Sequence, residues 1–213
     1  MTDYITAGHQ YEGIDKGVVI DITTEARQAV ETRDEATKLL REAGRTVVND
    51  NDTYNLKDTI KQINQTCTKD DIAIDIHYNA SIRHDARGVE IFYHAKNLKM
   101  KTLAEDIAER ISAYTGFRNR GAKPHTAIPN RNGYLKYTHC SALIVEGGFL
   151  DSKDLELIID PNKDDLISKA IADGILYMYQ KKTSQEAILG LSQAIEQHSK
   201  TILDLVKQIK ELL

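Results

Sequence analysis

Two histidines and several glutamates stand where strands and helices should begin or end. His9 follows the short apolar stretch 4–7, His77 closes the β-branched run 71–77, and Glu146 follows the apolar run 142–145. Glu25 opens a stretch with helical periodicity. A zinc ion in a hydrolytic site takes three protein ligands of the histidine and carboxylate type and keeps a fourth position for water. A further carboxylate outside that set accepts the proton of the attacking water. His9, Glu25 and His77 supply such ligands, and Glu146 supplies the base. Residue type alone does not choose among the glutamates, because Glu12, Glu31 and Glu35 share the interval with Glu25. The remaining histidines, His84, His94, His125, His139 and His198, read as solvated or locally hydrogen-bonded side chains.

The elements that must position these residues follow from periodicity. Residues 4–7, 45–48, 71–77, 89–93 and 142–145 read as strands. Helices are expected over 25–43, 56–65, 100–114 and 164–179, the first capped by Thr23 or Thr24 and stopped at Gly44. Strands alternating with helices predict an α/β domain with a central mixed, mostly parallel sheet flanked by helices. In such folds function gathers at the carboxyl ends of strands, where His9, His77 and Glu146 stand.

At 213 residues, 41% hydrophobic and 28% charged, the chain is long enough for one ordinary core and is neither disordered nor fibrous in composition. A net charge of −4 offers no basic footprint for nucleic acid, and no apolar run is long enough for a membrane span. Cys67 and Cys140 are the only thiols, too few for a disulfide framework. The opening residues lack the basic and apolar segments of a secretory signal, so synthesis in the cytoplasm without a signal peptide is expected.

Four local motifs narrow the reading: Ala7-Gly8-His9, Asp75-Ile76-His77-Tyr78-Asn79-Ala80, Asn119-Arg120-Gly121-Ala122-Lys123, and Ala142-Leu143-Ile144-Val145-Glu146-Gly147-Gly148-Phe149-Leu150. In this order and at these intervals the chain resembles the zinc-dependent N-acetylmuramoyl-L-alanine amidases of type 3, a family of bacterial cell-wall amidases and phage endolysins. The resemblance covers residues 1 to about 182 and implies Zn2+ as cofactor and peptidoglycan as substrate. It implies His9, Glu25 and His77 as ligands, since the family places its glutamate at the head of the first long helix, and Glu146 as the catalytic base. Asn79 and Arg120 become candidates for substrate binding. Asp75, where many relatives have serine, shares a strand face with His77 and is a candidate partner for that ligand. The loop after His9 departs from the family pattern at Gln10-Tyr11-Glu12-Gly13. A zinc peptidase acting within the stem peptide and a non-catalytic wall-binding module are the competing readings. Action on the cell wall after release, in phage, prophage or mother-cell lysis, is the expected setting.

Beyond the catalytic domain, 1–182, the segment 183–213 changes period. Ile188, Leu191, Ile195, His198, Ile202, Leu205, Ile209 and Leu212 follow the alternating three and four spacing of a heptad, with isoleucine and leucine at its two apolar positions. A C-terminal amphipathic helix is expected, forming a homo-oligomer through residues 184–213 as a coiled coil. Leu189, Leu203, Val206 and Leu213 widen the apolar stripe, which also suits a helix lying on its own domain.

Overall fold

The computed structural model describes residues 1–128, 133–160 and 165–211, with the side chains of 204–206 and 209–211 left aside. The expected helix start at Asp164 and the apolar positions Leu205, Val206, Ile209, Leu212 and Leu213 lie outside the described residues or side chains. Along the chain come β1 (Thr2–Ala7), the two-residue strands β2 (Val19–Ile20) and β3 (Thr23–Thr24), α1 (Glu25–Glu42), β4 (Thr46–Asn49) and α2 (Leu56–Thr66). They are followed by β5 (Ile72–Asn79), β6 (Val89–Tyr93), α3 (Leu98–Thr115), β7 (Asn119–Pro124), α4 (Gly133–Tyr137), β8 (Ser141–Phe149), α5 (Leu155–Ile158) and α6 (Leu166–Glu211). Two compact units result, Met1–Ile175 and Leu176–Leu213.

In the first unit six strands form one sheet in the order β4-β1-β5-β8-β6-β7. Every neighbouring pair is parallel except β6 with β8, giving the mixed, mostly parallel sheet that the alternation of elements predicted. Central β5 is buried along Ile72, Ala73, Ile74, Asp75 and Ile76, as a strand covered on both faces must be. Helix α1 starts where Thr24 accepts a hydrogen bond from the Arg27 amide at 3.2 Å, and ends at Gly44, whose φ of 79° suits a residue without Cβ. Its Ala26, Ala29, Ala36 and Leu40 are fully buried at helical spacing. Helix α3 does the same with Met100, Ala104, Ile107, Ala108 and Ile111.

The strands differ from the sequence expectation at several places: the short β2 and β3 have no counterpart in it, and β5 runs past His77 to Asn79. Strand β8 does not stop at Val145 but runs on through Glu146 to Phe149. The glycines permit this, since a Cβ on Gly147 would lie 3.0 Å from the Tyr78 ring. Strand β7 was not anticipated, because Asn119, Gly121 and Pro124 have poor strand propensity. Among the described residues it pairs with β6 alone, and an edge position tolerates both glycine and proline. The second unit is helical throughout its described residues, with Ile188, Leu189, Leu191, Ile195, Ile202 and Leu203 exposed.

Candidate metal and catalytic site

The site is built at the carboxyl ends of β1 and β5 and the amino end of α1. After β1 the chain turns sharply: the Gly8 amide bonds to Ile76 O at 2.8 Å and His9 takes a left-handed φ of 69°. A Cβ on Gly8 would stand 2.2 Å from the His77 ring, so only glycine lets that ring lie across the turn. On the other side, a Cβ on Gly17, at φ 64°, would fall 2.4 Å from Glu25 Oε2 and 2.5 Å from His9. Two glycines thus leave room for three polar side chains.

Glu25, only 4% exposed in the first turn of α1, lies between the two histidines. Its Oε1 is 2.9 Å from His77 Nδ1 and its Oε2 is 3.2 Å from His9 Nε2. Backbone amides of Tyr78 and Val18 donate to the same two oxygens at 3.2 and 2.9 Å. One ligand atom from each of His9, Glu25 and His77 falls within 4.8 Å of the others. Glu31 and Glu35 bond instead to Arg27 and Lys38 on the helix surface, and Glu12 is exposed.

The outward nitrogen of each histidine faces a carboxylate. His9 Nδ1 is 2.9 Å from Asp15 Oδ1, and His77 Nε2 is 3.1 Å from Asp75 Oδ2. Asp75 is buried, and its other oxygen accepts from Thr6 Oγ1 at 2.7 Å, which in turn lies 3.0 Å from the Tyr134 hydroxyl. Burial works to raise the Glu25 carboxyl, but hydrogen bonds and charge from both histidines hold it well below the usual carboxylate range. Burial also opposes protonation of His77, yet the Asp75 charge and hydrogen bonds from Asp75 and Glu25 raise it well above an ordinary histidine. The same balance, led by Glu25 against burial, raises His9. A cation entering this cluster would replace those protons. Two imidazole nitrogens and a carboxylate, with carboxylates behind both rings, suit a tetrahedral zinc ion.

Glu146 completes the rim. On β8 it stands opposite His77 of β5 on one side and opposite Glu90 of β6 on the other. All of these line one cleft of about 550 Å³, together with Asp15, Asp75 and Asn79.

Residues 4–177 match the sequence model of the family described as N-acetylmuramoyl-L-alanine amidase. The chain belongs to that family. Among solved structures it is similar to Cwp6 from Clostridium difficile, with 28% identity, a TM-score of 0.74 and coverage of 83% of this chain and 29% of that one. It is also similar to an N-acetylmuramoyl-L-alanine amidase from Clostridium difficile 630, with 25% identity, a TM-score of 0.73 and coverage of 85% and 97%. The catalytic domain of the CD27L endolysin targeting Clostridia Difficile shares the fold at 21% identity and a TM-score of 0.68, over 83% of this chain and 97% of that one. A comparison with curated proteins finds no match.

Asn79 and Arg120, the two substrate-binding candidates from the sequence, are both held by a residue that was not a candidate. Glu90, 6% exposed within β6, accepts from Asn79 Nδ2 at 3.1 Å, Arg120 Nε at 2.6 Å and Lys123 Nζ at 2.5 Å. Arg120 also lies over the Phe149 ring at 5.0 Å. Burial works to raise the Glu90 carboxyl, and Lys123 and Arg120 hold it low. A glutamate amid the apolar residues of 89–93 was the available signal, since a charge is buried only with partners. Asp15 carried no such signal, as it lies in an irregular loop. Of the histidines read from sequence as solvated or locally hydrogen-bonded, His84 bonds Asp151 at 2.8 Å, His94 and His125 stack at 4.4 Å, and His198 bonds Ala194 O within its own helix.

Proposed function

We propose that the chain hydrolyses the amide between N-acetylmuramic acid and L-alanine in peptidoglycan, using zinc held by His9, Glu25 and His77. The observation that carries the reading is the approach of these three side chains within 4.8 Å beside Glu146, in a chain of the amidase family. Zinc, when bound, supplies Lewis acidity toward the scissile carbonyl and lowers the pKa of water. Glu146 accepts a proton from the attacking water and passes it to the departing amine of L-alanine. Asp15 and Asp75 fix the tautomer and tilt of the two imidazoles. Asn79 lines the cleft, Arg120 is bound to the same Glu90 carboxylate from the neighbouring pocket, and both orient the substrate on the side of β6.

Digestion of purified peptidoglycan followed by mass analysis tests the reading. Expected products are intact glycan strands and stem peptides with new L-alanine amino termini. Cleavage inside the stem peptide would assign the chain to peptidases, and persistence of activity after removal of metal by phenanthroline would remove zinc from the mechanism.

We also infer that residues 184–213 pair with the same segment of a second chain as a coiled coil. The support is the heptad itself, and the 67%, 64%, 65% and 60% exposure of Ile188, Leu191, Ile195 and Ile202. Pairing would give two catalytic domains per particle on a polymeric substrate, which raises avidity without new contacts.

A further inference from the structure

Next to the catalytic cleft lies a shallower pocket of about 380 Å³, lined by Asp85, Ala86, Arg87, Gly116, Arg118 and Arg120. In a chain of net charge −4, three arginines and one aspartate line this pocket. That carboxylate, on Asp85, is itself 3.6 Å from Arg83 Nε.

Two of the three arginines are fixed from behind. Arg87 Nε donates to Asp154 Oδ1 at 3.1 Å, and fully buried Asp154 also accepts from the Gly88 and Phe149 amides at 2.7 and 3.3 Å. Arg120 Nε donates to Glu90, and its guanidinium rests over Phe149. In each case the bond to the buried carboxylate uses Nε, and the terminal nitrogens make no hydrogen bond among the described residues. Those terminal nitrogens form the planar fork that grips a carboxylate at two points. The third arginine, Arg118, has an exposed side chain and a backbone carbonyl bound by the Val89 amide at 3.0 Å. Gly88, at φ 104°, makes this approach possible, because a Cβ there would fall 2.1 Å from Arg118 O. The backbone therefore brings Arg87 and Arg118 together by design of the turn and not through their side chains.

Glu90 separates the two cavities. It lines the catalytic cleft opposite Glu146, and it holds the arginine that lines the second pocket. Glu90 thus ties the carboxylate rim of the cleft to Arg120 of the second pocket. In a peptidoglycan stem the residue after L-alanine is a γ-linked D-glutamyl unit, whose α-carboxyl is free in some walls and amidated in others. We infer that this pocket binds that free carboxylate, so that the chain prefers walls with an unamidated second stem residue. The inference rests on the amidase reading above for the identity of the scissile bond.

The test uses the full chain and two soluble probes, the γ-methylamide of N-acetylmuramoyl-L-alanyl-D-glutamate and the α-amide of that compound, so that the α-carboxyl is the one carboxylate that differs. Binding is followed by the Nε–H resonances of 15N-labelled arginine, and cleavage by release of the dipeptide. The acid should bind about tenfold or more tightly than the amide, as expected for loss of a charge-assisted bidentate pair, and should shift the Arg87 and Arg120 resonances. Arg118→Ala, at an exposed side chain that the fold does not need, should raise KM for the acid and narrow the gap between the two probes to about threefold. Equal affinity for acid and amide would overturn the inference. So would displacement of the acid by inorganic phosphate at matched concentration, which would make the pocket a general phosphate site. Selective binding of the acid with cleavage of neither probe would uphold the pocket and sink the amidase reading.

Discussion

Asp75 Oδ2 lies 3.1 Å from His77 Nε2, on the side of the imidazole away from Glu25. Both residues belong to β5 and point to the same face, two positions apart. The contact orients the ring so that Nδ1 faces Glu25 and His9, and Thr6 with Tyr134 holds the carboxylate in turn. Asp75→Ala should weaken zinc binding by about ten- to a hundredfold, the usual effect of removing a carboxylate behind a ligating histidine. Competition with a chromophoric chelator, alongside circular dichroism to verify the fold, measures this. An unchanged zinc affinity would reduce Asp75 to a buried structural charge.

Glu146→Gln should retain metal and lose about two to four powers of ten in rate, since the amide keeps the shape but accepts no proton. Metal content and wall-lysis rate, measured on the same preparation, decide it. Near-normal turnover would move the base to another carboxylate of the cleft, with Glu90 the next to test.

Glu25→Ala should lower zinc occupancy far more than Glu12→Ala or Glu31→Ala. Glu25 is buried against both histidines, whereas Glu31 bonds to Arg27 on the surface and Glu12 is exposed. Elemental analysis after dialysis gives the answer. Occupancy equal to the parent's in Glu25→Ala would reopen the ligand assignment.

Asp50 should leave a pH signature on stability. Burial pushes its carboxyl up, the Arg33 guanidinium at 3.1 Å pulls it back, the charge of Asp75 pushes it up again, and the net value is about 6. In the unfolded chain an aspartate sits near about 3.9. Because the folded value is the higher, the folded state takes up this proton first. Its contribution is present at low pH and is lost as pH rises through about 6. Relative to Asp50→Asn, the parent should therefore gain about 2 kcal/mol between about pH 7 and about pH 4.5. Urea unfolding of both metal-free proteins at the two pH values measures the gap, and a gap independent of pH would show that Arg33 keeps Asp50 ionised throughout.

The C-terminal segment should associate. Light scattering is expected to give an oligomer for the full chain and a monomer for the variant carrying Ile195→Asp and Ile202→Asp, which places charge at two apolar heptad positions. A monomeric parent would leave the apolar stripe to an intramolecular role.

By itself the sequence determined what depends on neighbours along the chain. Alternation and β-branching marked β1, β5 and β6, while Thr24 and Gly44 marked the ends of α1. Strand ends then identified His9, His77 and Glu146 as residues that could meet, because the carboxyl ends of parallel strands share one rim. Where local propensity and tertiary pairing disagree, the sequence says less: its pattern ends β8 at Val145 and carries no mark of β7. Only the tertiary structure decided the strand order and register, which rest on hydrogen bonds between distant segments. Inserting β6 antiparallel beside β8 sets Glu90 against Glu146 and gathers Asn79, Arg120 and Lys123 around it. Likewise the loop that carries Asp15 behind His9, and the turn at Gly88 that brings Arg87 beside Arg118, arise from close approach of backbones that no periodicity encodes. A buried charge needs its partners delivered from elsewhere in the chain, and that delivery is a property of the packed sheet.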